Sequence, residues 1–133
     1  MRSIPLVLAI AVLAGCGSPH PATFEQDYNA ALRVSYEAMK DFDAVVADAE
    51  GMRQAARGCD DAATRLRELE APSGAEDELD ETVYAMEKLA EALSAAADQY
   101  PDFEAWVGES LQVNAERLEV AEDAMHVALD RMS

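Results

Sequence analysis

Basic side chains are scarce in this chain: ten lysines and arginines stand against twenty-seven carboxylates, a formal charge of −17 over 133 residues. Such a surface repels phosphate backbones, so no nucleic-acid partner is expected. Anionic lipid headgroups are repelled in the same way. Histidine is rarer still, with only His20 and His126. Two histidines, one of them near the N-terminus, cannot supply the paired carboxylate-histidine motifs of a di-iron helical site. The cysteines are Cys16 and Cys59 alone, and no Cys-x-x-Cys-His occurs, which excludes covalent haem of the c type on pattern. Aromatics make up 6 % of the chain. β-Branched residues are also few and no useful alternating run appears, so a sheet has nothing to build on.

What the chain does have begins at its N-terminus. Met1-Arg2-Ser3 gives a short positive head, Ile4 to Val12 an apolar segment interrupted by Pro5, and Ala14-Gly15 the small residues of a cleavage site. A transmembrane helix needs about 20 apolar residues. This run is too short for that. Leu13-Ala14-Gly15-Cys16 resembles the lipobox of bacterial lipoproteins. The resemblance implies a signal peptide over residues 1–15, a diacylglyceryl group on the Cys16 thiol, cleavage just before it, and acylation, palmitate included, of the new N-terminus. Two or three acyl chains make such an anchor stable where one does not. The lipid bilayer is then a partner through Cys16. Gly17 follows the cysteine where inner-membrane lipoproteins often carry Asp, so the expected address is the bacterial cell envelope, on the outer membrane facing the periplasm.

Loss of residues 1–15 from 133 leaves 118, enough for one domain. Arg2 leaves with them, so the basic count falls from ten to nine and the formal charge from −17 to −18. Cys16 would be consumed by lipid, which leaves Cys59 as an unpaired thiol in an oxidising compartment. It falls on an apolar stripe, where a buried inert thiol is expected; an intermolecular disulfide or a reactive thiol is the alternative. Residues 16–22, with Pro19 and Pro21, form a tether spanning at most about 25 Å. A domain over residues 23–133 therefore sits close to the bilayer.

Periodicity within that domain is helical. Thr23 to Gln26 has the pattern of a capping box, followed by Phe24, Tyr28, Leu32, Met39, Phe42, Val46 and Ala49 at three- and four-residue steps. The stripe continues through Met52, Ala56, Cys59, Ala63, Leu66 and Leu69. One helix across all of it would be about 70 Å long, so a turn is expected near Gly51, with Gly58 as the competing position. Residues 70–74, Glu-Ala-Pro-Ser-Gly, break the pattern, and Ser73 with Glu76 reads as a second capping box. Leu79, Val83, Met86, Ala90, Leu93, Ala97 and Tyr100 form the next buried line, and Pro101 ends it. The last helix, from about Asp102 to Met132, carries a seam of Leu111, Leu118, Met125 and Met132 beside Val107, Asn114, Ala121 and Ala128. The expected fold is all-α: an antiparallel four-helix bundle, or else a three-helix bundle with a long kinked first helix.

Trp106, Val113, Val120 and Val127 make a third column seven residues apart on that last helix. In a bundle each helix meets two neighbours and a wide apolar arc belongs in the core. If the column is exposed, it is an interaction strip for another helix or protein.

Candidates for chemistry are thin. Glu122, Asp123 and His126 are weak candidate metal ligands; the expected reading is a histidine at the core boundary with intrahelical carboxylate neighbours, and no metal. A helical bundle with one late histidine resembles the cytochrome b562 family, where Met and His on opposite helices hold b-type haem. Here antiparallel register sets His126 opposite about Ala30, and Met39 lies about nine residues further, ~13 Å along the axis. No cofactor is therefore expected. Ser35, Ser94 and Ser110 have no histidine base within reach by sequence, and carboxylates on a solvated face are not a matched acid-base pair. The expectation is a non-enzymatic envelope lipoprotein acting through protein interaction, with an envelope protein as partner. A small-ligand or cofactor carrier and a cation-responsive acidic module are the alternatives.

Overall fold

The computed structural model describes residues 20–132, and that region is all-helical: Pro21–Met39 (α1), a single turn Phe42–Val45 (α2), Ala49–Arg67 (α3), Glu76–Gln99 (α4) and Ala105–Arg131 (α5). Residues 1–19, and with them Cys16 and the signal segment, lie outside the described residues. Among the described residues there is no strand, and no helix is long and apolar enough to cross a membrane.

The ends of the helices show which local chemistry prevails. α1 starts two residues before the Thr23 capping box: Pro21 fits the first turn, where its missing N–H costs nothing, and His20 Nδ1 accepts from the Ala22 amide at 3.2 Å. His20 is thus a cap, and Pro21 and Ala22 belong to the helix rather than preceding it. The expected turn near Gly51 falls earlier, over residues 40–48, because Asp41 and Asp48 each cap a new helix start through their carboxylates. Gly51 lies inside the first turn of α3, where a Cβ would come within 2.6 Å of the Val45 carbonyl oxygen. It lets α2 fold down onto α3. Gly58 is also helical, and a Cβ there would collide with that of Ala38, so α1 and α3 pass close to one another here. α4 begins at Glu76 with Ala75, rather than Ser73, at the cap position, and the Glu76 carboxylate accepts from the Gly74 amide at 2.8 Å. That bond and its neighbours hold the exposed Glu76 carboxyl below the ordinary carboxylate range. Gly74, at φ +99°, takes the left-handed conformation the turn requires.

The helices pack in chain order, α1 on α3, α3 on α4, α4 on α5. Arg53 near the start of α3 pairs with Asp98 near the end of α4, and Arg67 at the end of α3 pairs with Glu87 midway along α4, so these run antiparallel. Tyr28 of α1 meets Thr82 of α4, and Met39 lies beside Leu89 and Leu93, so α1 is parallel to α4 and antiparallel to α3. α1 and α3 are separate helices folded back on one another.

Apolar burial follows most of the sequence stripes. Phe24, Tyr28, Leu32, Met52, Cys59, Leu66, Met86, Leu93, Leu118 and Met125 share one core with many alanines. The alanines let the helices come close, as at Gly58. Two residues of the expected lines lie outside the core: Phe42 and Tyr100 are exposed, and Val45 is buried where Val46 was expected. Tyr100 is held at the surface because its hydroxyl donates to the Ala47 carbonyl at 2.8 Å, tying the α4–α5 connection to the turn before α3. The core's polar groups are satisfied. Thr82 Oγ1 donates to the Glu78 carbonyl, which leaves the Tyr28 hydroxyl to donate to Thr82 at 2.8 Å. Buried Asn114 is satisfied within its own helix by Ser110 and Arg117.

Candidate functional site

α5 decides the surface chemistry, because its buried line against α4 leaves two flanks with different characters. On one flank stands the third column. Trp106, Val113, Val120 and Val127 keep 51 %, 49 %, 68 % and 50 % of their surface exposed, so the column is not part of the core. The reason is geometric: α5 packs closely on α4 alone, and a helix with one close neighbour buries a narrower arc than a helix with two. The column runs about 32 Å along the helix. Its middle opens into a hollow of about 470 Å³ between α4 and α5, where Val113, Val120 and Ala124 are rimmed by Asp77, Glu78 and Glu81. Arg117 closes one end, stacked 5.1 Å over the Tyr84 ring. Trp106 is oriented by its indole N–H, which donates to Glu104 at 3.2 Å.

The other flank faces α1. Here the two helices meet through side chains: the Tyr36 hydroxyl donates to Glu122, and His126 Nε2 lies 3.7 Å from the Glu25 carboxylate. His126 faces Glu25, about one turn before the Ala30 position expected from register. Between the contacts and the far end of the pair, a cleft remains. Its inner part, about 320 Å³, is apolar and bounded by Met39, Phe42, Leu89, Leu93, Gly108 and Leu111. Its outer part, about 360 Å³, shares Met39, Leu89 and Ala115 with the inner one and ends at Tyr36, Glu119, Glu122 and Asp123.

Electrostatics differ along this cleft. Half-burial pushes the Glu122 carboxyl up from the ordinary range, with Asp123 and Glu119 adding repulsion, while the Tyr36 hydroxyl and His126 partly offset them. Burial and the Glu122 carboxylate together push the Tyr36 phenol well above its usual value. None of Glu119, Glu122 and Asp123 forms a salt bridge among the described residues.

The weak metal candidates are therefore separated by partner. Glu122 is taken by Tyr36 and His126 by Glu25, and among the described residues no three His, Cys, Asp or Glu side chains gather as metal ligands. Cys59 is a free thiol, fully buried, with Met39 Sδ at 3.7 Å. Burial and Asp60 push its pKa up to about 12, so it is protonated at neutral pH and shielded from thiol chemistry. Met39 is taken up by this contact and by the cleft, several turns from His126. Sequence reasoning missed the cleft residues Tyr36, Leu89 and Gly108. The available signal was Gly108, a glycine inside an otherwise strongly helical run.

No family model, curated protein or solved structure matches the chain.

Proposed function

We propose that this protein is a non-enzymatic lipoprotein of the bacterial envelope, an antiparallel four-helix bundle held to the membrane by acylated Cys16 and docking a partner protein's helix along Trp106, Val113, Val120 and Val127. The observation that carries the docking reading is the exposure of all four column residues. Apolar positions repeating every seven residues suit a second helix wound left-handed against the first. The rim of Asp77, Glu78 and Glu81, on a chain of charge −17, favours a partner helix with a basic edge. The bundle reading rests on alternating helix directions and on the short connections between them. Anchoring rests on the lipobox residues alone, Leu13 to Cys16. The helix start at Pro21 leaves a linker of residues 17–20 behind the lipidated cysteine.

A photo-reactive residue placed at Val113 or Val120 in the full-length protein in its host membrane tests the docking. It should trap one discrete partner band, absent when the same residue replaces exposed Asp61 on α3, and Val120→Asp should abolish the Val113 cross-link. Equal trapping at Asp61, or an unchanged band with Val120→Asp, would refute it. Mass spectrometry of the N-terminus tests the anchor: the mature chain should begin at acylated Cys16, and an unmodified Cys16 would defeat it.

A further inference from the structure

The cleft between α1 and α5 lies on the flank opposite the apolar column and has its own chemistry. Its floor is the buried pair Leu89 and Leu93 on α4, its inner wall Met39, Phe42 and Leu111, and its outer end the Tyr36 hydroxyl with the carboxylates of Glu119, Glu122 and Asp123. Its two parts, of about 320 and 360 Å³, are continuous through Met39, Leu89 and Ala115. Each is within the size range of small-molecule sites. Gly108 forms part of the inner wall, and a Cβ built there meets no atom within 4 Å. Glycine inside a helix costs about 1 kcal/mol relative to alanine. At Gly58 that cost is explained by a neighbouring helix; at Gly108 no neighbour requires it, and its effect is to leave the cleft wide.

We propose that this cleft binds an amphiphilic organic cation, an amine with one apolar body, whose hydrocarbon lies on Leu89, Leu93 and Met39 and whose ammonium reaches Glu119 and Glu122. Charge decides among occupants of the same shape. A fatty acid or the propionates of a haem would bring negative charge to three carboxylates with no salt-bridged cation among them. A bare metal ion would leave the apolar part unused. An ammonium with an alkyl or aryl body satisfies both ends, donating to the carboxylates while it removes apolar surface from water. Phe42, half exposed on the inner wall, and the thioether of Met39 are suited to cover such a body. His126, one turn beyond Glu122 on α5, is directed to Glu25 and is not part of the cleft lining.

The test is calorimetric titration of octylamine into the full-length protein in phosphatidylcholine nanodiscs, with empty nanodiscs subtracted and octanoate as the same chain of opposite charge. Octylamine should bind at least tenfold more tightly than octanoate. Gly108→Leu, which fills the inner cleft from a position with free space, should weaken octylamine at least tenfold, and Glu119→Gln with Glu122→Gln should erase the preference for the amine. Val120→Asp, on the other flank, should leave binding unchanged, so the cleft and the docking column can fail separately. Equal binding of amine and carboxylate, or octylamine binding unaffected by both Gly108→Leu and the double Gln variant, would overturn the proposal.

Discussion

Glu122 shows how one side chain can set a pH dependence. Its folded carboxyl is raised above the ordinary 4.5 by half-burial, with Asp123 and Glu119 adding to the effect and Tyr36 and His126 opposing it. A carboxyl raised on folding favours the folded state when protonated and opposes it when ionised. Its cost is therefore present at neutral pH and disappears as pH falls through the folded pKa toward 4.5. Glu122→Gln keeps an acceptor for the Tyr36 hydroxyl without the charge. Its melting temperature should exceed the parent's at pH 7, and the difference should shrink as the pH approaches 4.5. A difference that grew on acidification would reverse the assignment. Cys59, by contrast, was legible in the sequence as a buried thiol because its stripe position is a local property. The Glu122–Tyr36 contact spans 86 residues, and nothing local announces it.

At the scale of helices, two glycines in similar sequence settings have opposite roles. A Cβ at Gly58 collides with Ala38 across the α1–α3 contact, whereas one at Gly108 meets nothing within 4 Å. Gly58→Ala should therefore destabilise by about 1–3 kcal/mol through overpacking between two rigid backbones. Gly108→Ala should stabilise by about 1 kcal/mol, roughly 4 °C in melting temperature for a domain of this size. Thermal melts of the two variants, compared with the parent, check both signs, and a stabilised Gly58→Ala would disprove the close crossing. Helix existence and type were readable from three- and four-residue periodicity. Boundaries were less so: the first turn falls over residues 40–48 because Asp41 and Asp48 form side-chain caps, a local chemistry that competes with glycine as a stop signal.

Across the whole molecule, charge works against compactness. Six ion pairs among the described residues, all at least partly exposed, tie together only some of the chain's twenty-seven carboxylates. Exposed pairs of this kind contribute little each, while a net charge of −17 repels itself, most strongly at about 10 mM salt, where the screening length reaches about 30 Å. Raising sodium chloride from 10 mM to 0.5 M should raise the melting temperature. A fall would mean that the ion pairs outweigh the repulsion.

By itself the sequence determined the all-helical class, most of the stripes that are buried and the acidic composition, and it carried the resemblance to a lipobox. Each of these depends on residues near one another in the chain or on composition. Only the tertiary structure decided which apolar arc of α5 is core and which is surface, and that a cleft separates α5 from α1. The same third column would be buried in a bundle closed on every side. Periodicity fixes which residues share a helix face, but the number of neighbours around that face is set by how distant helices pack.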